Sequence, residues 1–178
     1  MKELSLHLLD LVQNSVEAGA KDIYIEMKKD LINKKLMLRI KDNGKGIPPE
    51  MLEELKNPFF TTRKTRKVGL GIPLFWELIR NCDGSLEIKS EVGKGTEIIA
   101  EVPYHCIDLP PLGDLPGTIL SIIATNPDLN FSFRFEKNGD VFDFSTIELK
   151  KELGEVPINS LEVISFLKKY LYEHLGGW

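Results

Sequence analysis

The chain is poor in cysteine: only Cys82 and Cys106 occur in 178 residues. That excludes the disulfide framework of a small secreted domain and reads as two reduced intracellular thiols in packing roles. Histidine is scarce as well, and His7, His105 and His174 are read as structural or surface residues. No apolar run approaches the ~20 residues that span a bilayer. Met1-Lys2-Glu3-Leu4-Ser5 lacks a signal-peptide pattern. Cationic excess is missing too, since a formal net charge of −4 gives broad nucleic-acid binding no electrostatic basis. These absences predict a soluble, cytoplasmic protein with neither a membrane nor a nucleic-acid partner. What is present is the material of a core: 42% hydrophobic and 28% charged residues, which excludes disorder and collagen. The length suits one large domain, or a domain with an appendage. The 14 glycines are unevenly placed, with seven between Gly44 and Gly95.

Leu4, Leu8, Leu11, Val12 and Val16 recur at helical spacing over residues 3–18, and Gly19 stands where a left-handed stop belongs. Ile23, Ile25 and Met27 alternate with Tyr24, Glu26 and Lys28 as in a strand. A turn near Asn33-Lys34 leads to a second strand, Leu36–Ile40. Pro48-Pro49-Glu50 opens a short helix to Leu55. An irregular stretch, Asn57 to Gly69, precedes another helix over residues 71–81. Strands follow at Ser85–Ser90 and Thr96–Val102. Pro103, Pro110, Pro111 and Pro116, four of the ten prolines, then mark a linker. Beyond it Asp114 caps a helix over Leu115–Thr125. Lys137-Asn138-Gly139-Asp140 turns a hairpin between Phe131–Phe135 and Val141–Phe144, and helices Thr146–Leu153 and Ser160–Leu175 close the sequence. Interleaved helices and strands predict an α/β or α+β class with a mixed sheet.

Four short segments carry candidate chemistry, each with a plainer alternative. Asp10 and Asn14, four apart, share a face of an otherwise apolar helix; a solvated stripe explains them equally well. Asp42-Asn43-Gly44-Lys45-Gly46-Ile47 ends a strand with a carboxylate and two glycines, suited to a flat ligand bearing an exocyclic amine, or to a surface turn. Gly69-Leu70-Gly71 runs into a helix whose N-terminus attracts anions. The basic Thr61-Thr62-Arg63-Lys64-Thr65-Arg66-Lys67 stretch before it suits a loop over phosphates, or a solvated loop; a nucleic-acid patch is the weakest option, for want of interleaved aromatics. Gly93-Lys94-Gly95-Thr96 delivers a hydroxyl at a strand start, or is simply a hairpin.

Taken together and in this order, the segments resemble the GHKL ATP-binding superfamily (gyrase, heat-shock chaperones, histidine kinases, MutL). Asn14-Ser15-Val16-Glu17-Ala18-Gly19-Ala20 is most similar to the MutL type. Asn57-Pro58-Phe59-Phe60-Thr61-Thr62 and Gly69-Leu70-Gly71-Ile72 resemble the lid of histidine kinases. The resemblance implies an α+β fold, a Bergerat-type α/β sandwich with a mixed sheet and helices on one face, in residues 1–105. A Pro-rich linker (106–117) and a smaller C-terminal α/β segment (118–178) would follow. It also implies ATP and Mg²⁺ as cofactors. Asn14 would hold the metal against the triphosphate, as an amide oxygen suits this ion, and Ala18 joins the nucleotide-binding set. Asp42 would read adenine, with Gly44 and Gly46 allowing close approach, Ile47 packing on the base and Thr96 reaching it through a shared water. Phe59 and Phe60 would anchor the lid, with Thr62 beside them. Gly69, Leu70 and Gly71 would offer N–H groups to the phosphates, and Arg63 or Lys64 charge to the γ-phosphate.

Some positions depart from the family pattern. Asp10 stands where hydrolytic members carry a glutamate that orients water, one methylene longer. Glu17 replaces a cation frequent in kinases, Val68 replaces a frequent threonine, and the glycine before Gly69-Leu70-Gly71 is missing. His7 is too near the nucleotide helix to accept phosphate. The reading is a histidine-kinase-like protein, kinase or slow ATPase, with a protein partner or phosphoacceptor in trans; the alternative is a non-catalytic ATP-sensing module. DNA repair of the MutL kind is disfavoured, as no long second domain and no basic surface beyond the lid are seen. Because the nucleotide helix starts so early, a sheet edge needs cover. The segment after Pro116 is expected to supply it, through its hairpin or its helices, unless it forms a separate module.

Overall fold

A computed structural model describes residues 3–56 and 71–177. The elements run α1 (Leu4–Glu17), β1 (Asp22–Asp30), β2 (Lys35–Asp42), α2 (Pro49–Lys56), α3 (Gly71–Asn81), β3 (Ser85–Glu91), β4 (Gly95–Pro103), α4 (Leu115–Thr125), β5 (Asn130–Lys137), β6 (Asp140–Ser145), α5 (Thr146–Leu153) and α6 (Leu161–Leu175). The strands form one sheet in the order β3-β4-β2-β1-β5-β6. All pairs are antiparallel except β1 with β5. This mixed sheet is the α+β sandwich expected from the sequence.

Alternation decides which face is dry. Ile23, Ile25 and Met27 of β1, Leu36, Leu38 and Ile40 of β2, and Phe131, Phe133 and Phe135 of β5 are all buried. Many of their neighbours on the other face are charged, and several pair across strands. Arg39 lies between Glu26, at 3.8 Å, and Glu97, at 2.5 Å, while Lys28 faces Glu136 at 3.7 Å. Such half-exposed pairs contribute little stability each. They keep that face wet and fix strand register.

The sheet edge beside β1 is taken by the hairpin, not by a helix. β5 runs parallel to β1, pairing Asp22 with Asn130 through Lys29 with Lys137. Asn138 and Gly139, with φ of 51° and 87°, make the tight turn into β6 that the Asn-Gly pair predicts. α4 begins at Leu115, within the Pro-rich stretch. Asp114 caps it by accepting from the Gly117 N–H at 3.0 Å. The apolar α4 packs between α1 and α6, with Ile119, Ile122 and Ile123 meeting a core that includes Leu167 and Leu171. The proline strap is itself bonded to α1. Leu4 N–H donates to the Pro111 carbonyl at 2.8 Å and Ser5 N–H to that of Leu112 at 3.0 Å, satisfying two of the donors a helix start leaves open.

One expectation from the sequence is overturned. Cys82 and Cys106, read as separate reduced thiols, are joined as a disulfide with α-carbons 5.6 Å apart. The reason is hairpin register. Ser85 stands opposite Glu101, so the residues just before β3 and just after β4 come side by side.

His7, on α1, faces α3 and is 5% exposed, with its ring centroid 5.9 Å from that of Phe75. Its Nδ1 is buried without a hydrogen-bond partner among the described residues. Desolvation pushes its pKa below the ordinary value of 6.5, against a smaller upward pull from Asp10. In the unfolded chain the imidazole protonates near that ordinary value, while in the fold it stays neutral to lower pH. Stability therefore falls as pH drops from about 6.5 towards the folded pKa. His7→Leu is expected to flatten the decline in melting temperature between about pH 7 and 5; thermal melts across that range that match the unaltered protein would reject this assignment.

Candidate functional site: a cleft between α1, β2 and β4

The end of β2 brings Asp42 under α1, where both carboxylate oxygens are held. The Ser15 hydroxyl donates to Oδ2 at 2.6 Å and the Gly44 N–H donates to Oδ1 at 2.9 Å. Each oxygen keeps a lone pair for a further donor, such as an exocyclic amine. Asn43 anchors the following turn. Its Oδ1 accepts from the Lys21 and Asp22 N–H groups, both at 2.9 Å, while the Lys45 N–H donates to the Ala18 carbonyl at 2.8 Å.

The cleft beside Asp42 has a volume of about 440 Å³. Leu11, Ile47, Met51, Ile72 and Ile98 supply apolar walls, and Asn14, Asp42 and Thr96 bring polar groups. A mostly apolar slot with few fixed polar groups suits an aromatic base. Thr96 stands directly across from Asp42 in the β2–β4 register. Its Oγ1 lies 2.8 Å from Ser90 Oγ, which accepts from the Ile47 N–H at 2.7 Å and donates to the Gly95 carbonyl at 2.9 Å. Ser90 thereby ties the turn after β2 to the start of β4 and orients Thr96.

The glycines serve partly a different purpose from the expected one. A Cβ on Gly46, where φ is 77°, would overlap the Glu91 carbonyl, and one on Gly95 would overlap that of Asp42. A Cβ on Gly44 would lie 3.0 Å from Ala18 Cβ and from its carbonyl oxygen. The close approach they permit is largely that of the protein's own backbone, although Gly46 also lines the cleft.

Asn14 projects from the same stretch of α1 as Ser15. Its Nδ2 is buried without a hydrogen-bond partner among the described residues, a costly state for a polar atom. Gly71, first residue of α3, fits against this point: a Cβ there would lie 3.1 Å from Asn14 Nδ2 and 3.2 Å from Asp10 Cβ. Asp10 itself is exposed one turn earlier. Among the described residues no group of three or more His, Cys, Asp or Glu gathers as a metal site. A hard cation here would take one protein ligand, the Asn14 amide oxygen, and complete its shell from phosphate and water, as Mg²⁺ commonly does.

Of the residues singled out in the sequence, Asn14, Ala18, Asp42, Gly46, Ile47 and Thr96 line one cleft; Asp10 and Gly71 sit at its Asn14 end, and Gly44 acts through Asp42. Phe59, Phe60, Thr62, Arg63, Lys64, Gly69 and Leu70 lie outside the described residues. Sequence reading missed Ser15, Ser90, Met51 and Ile72. Ser15 had a visible signal, since it adjoins Asn14 in a distinctive segment. Ser90 had none, because its partners come from two separate places, the turn after β2 and the start of β4.

Residues 2–105 match the family model described as histidine kinase-, DNA gyrase B- and HSP90-like ATPase. That is more than half of the chain, which belongs to this family and carries its ATP-binding domain. Sporulation kinase C of Bacillus subtilis is 30% identical over 101 residues, covering 57% of this chain and 23% of that protein. Sensor histidine kinase ZraS of Salmonella typhimurium is 32% identical over 97 residues, 54% of this chain and 21% of that protein. The chain thus spans less than a quarter of the length of these kinases. Among solved structures, the Aquifex aeolicus MutL ATPase domain complexed with ADP covers 96% of this chain and 70% of its own, with a TM-score of 0.53 and 18% identity. The N-terminal domain of a DNA repair protein covers 82% and 53%, with a TM-score of 0.54 and 19% identity. At such identities the likeness is one of fold alone. In the MutL case it necessarily extends past residue 105 into the C-terminal strands and helices. No helix among the described residues is long and apolar enough to cross a membrane.

Proposed function

We propose that this chain binds ATP with Mg²⁺ and acts on the γ-phosphate as a histidine-kinase-like protein, with the phosphoacceptor supplied in trans by a protein partner. In this reading residues 1–105 hold the nucleotide, 106–117 connect, and 118–178 buttress the sheet. The observation that carries it is the pairing of a fixed carboxylate with an orphaned amide across one slot. Asp42, held by Ser15 and Gly44, faces the apolar cleft, and Asn14 lines the same cleft with a buried Nδ2 donor that has no partner among the described residues and suits a phosphate oxygen.

Adenine would enter with its amine donating to Asp42, its ring against Ile47 and Ile98, and Thr96 at the edge. Asn14 would hold the magnesium ion, which neutralises phosphate charge when bound. Gly71, at the start of α3, would offer its N–H to the phosphates, with Gly69, Leu70 and either Arg63 or Lys64 before it. Asp10 would accept a proton from the attacking group. A second reading, an ATP-sensing module without turnover, is favoured by Asp10 itself. The aspartate is one methylene shorter than the glutamate that hydrolytic members carry at this position, so its reach to an attacking water is less.

Incubation with γ-labelled ATP and candidate partner proteins separates these readings. Label on protein supports the kinase, label only in free phosphate the ATPase, and bound but intact ATP the sensor. Asn14→Ala is expected to remove the Mg²⁺-dependent part of nucleotide affinity in calorimetry, and an affinity unchanged by the substitution would overturn the role of Asn14.

A further inference from the structure

We propose that Cys82 and Cys106 form a reversible thiol–disulfide pair, open to exchange with low-molecular-weight thiols and disulfides, whose state governs how firmly α3 and the phosphate end of the cleft are held. The link to the cleft rests on the nucleotide reading above; the exchange chemistry does not.

Three observations converge. The first is placement. These are the only cysteines in the chain, and the β3–β4 register brings them together. A fold of this size with a continuous core does not depend on a staple. The loop the bond closes is already clamped by seven paired positions between β3 and β4, from Ser85–Glu101 to Glu91–Gly95. Cys82 sits among core residues at 4% exposure, where a free thiol packs as a small hydrophobe. Both redox states are therefore compatible with the same fold.

The second is access. Cys106 is half-buried at the edge of the core, in a loop whose next residue, Ile107, is fully exposed, whereas Cys82 is buried. An external thiolate reaches Cys106 Sγ first, forms a mixed disulfide there and releases Cys82 as the thiolate; a second thiolate then frees Cys106. In reverse, the Cys106 thiolate attacks a small disulfide such as oxidised glutathione and expels one thiolate. The Cys82 thiolate next attacks Cys106 Sγ and expels the second. Two protein thiols lose two electrons and two protons, which end on two small thiols.

The third is mechanical. Cys82 directly follows α3, and the other end of that helix, Gly71, abuts Asn14 and Asp10. An eleven-residue helix is a rod of about 16 Å. A bond at its far end restrains pivoting at its near end. With the bond open, α3 is held through Ile72, Phe75 and Ile79 against the core and gains freedom where the phosphates would lie.

The test compares the full chain equilibrated with oxidised glutathione and with excess phosphine reductant. Titration of denatured samples should find no free thiols in the first and two in the second. Amide exchange over residues 71–81 should quicken by about fivefold on reduction, and the melting temperature should fall by about 5 °C. Affinity for a non-hydrolysable ATP analogue should fall by about threefold to tenfold. Cys106→Ser should give the reduced behaviour in both buffers. Two thiols persisting in oxidised glutathione would overturn the pair, as would a bond that the reductant leaves intact in the folded protein. Equal exchange over 71–81 in the two states would overturn its hold on α3. If neither state binds the analogue, the nucleotide reading fails, while thiol count and amide exchange still decide the pair and its grip on the helix.

Discussion

Asp42→Asn is expected to weaken ATP binding by about tenfold to a hundredfold, the equivalent of one charge-assisted hydrogen bond at about 1.5–3 kcal/mol. The substitution is isosteric, so its effect can be separated from folding. The substituted side chain still accepts the Gly44 N–H through its amide oxygen, and its NH₂ group donates to Ser15 Oγ, whose hydroxyl is free to turn. What changes is the hydrogen-bonding character of the group facing the cleft: an acceptor for the adenine amine becomes a donor. Guanine presents a carbonyl at the corresponding position. Discrimination between ATP and GTP should therefore shrink along with ATP affinity, with the melting temperature of the free protein nearly unchanged. Calorimetric titration with both nucleotides provides the check. A variant that loses ATP affinity but keeps full discrimination would remove Asp42 as the base-reading residue, and one that loses neither would remove the cleft.

Deleting residues 106–178 is expected to abolish cooperative folding of what remains. The excision strips β1 of its partner along the whole register from Asp22–Asn130 to Lys29–Lys137. It leaves that row of backbone groups without strand partners and makes β1 an edge that invites association. It removes Phe131, Phe133, Phe135, Ile119 and Leu171 from the core, each contributing about 1.5–3 kcal/mol by burial. It also removes the Pro111 and Leu112 carbonyls that accept from the start of α1. Losses on this scale match or exceed the roughly 5–15 kcal/mol of net stability typical of a domain. Fragment 1–105 should accordingly show no sigmoidal melt, bind hydrophobic dyes and aggregate. A fragment that melts within about 5 °C of the full chain and binds nucleotide would show that residues 106–178 are an appendage.

These two expectations draw on different kinds of information. Asp42 was visible in the sequence because its neighbours are constrained by local geometry. A carboxylate followed by glycines at the end of an alternating strand is a pattern read within six residues. The helices and strands were legible for the same reason, since the period of the apolar residues, the Asp114 cap and the Asn138-Gly139 turn each act over one turn or one hairpin. Ser90 was not legible. Its meaning comes from meeting Ile47, Gly95 and Thr96 at once, and nothing local distinguishes it from any serine on an edge strand. The glycines were read as permitting close approach, but partly to the wrong neighbour. Positive φ at Gly46 is a local demand, whereas the identity of what passes close by, the Glu91 carbonyl, depends on how two turns pack.

By itself the sequence determined the family, the order of the elements and six positions that line the cleft, Asn14, Ala18, Asp42, Gly46, Ile47 and Thr96, because these follow from short-range periodicity and from motifs whose parts are close in the chain. Tertiary structure alone decided three things. It placed β5 beside β1 in parallel, a pairing between residues more than a hundred positions apart. It joined Cys82 to Cys106 through hairpin register, reversing the reading of two idle thiols. And it left Asn14 Nδ2 buried against Gly71 without a partner among the described residues. Each depends on surfaces meeting after the local elements have formed, and the meeting is set by the fit of the whole core.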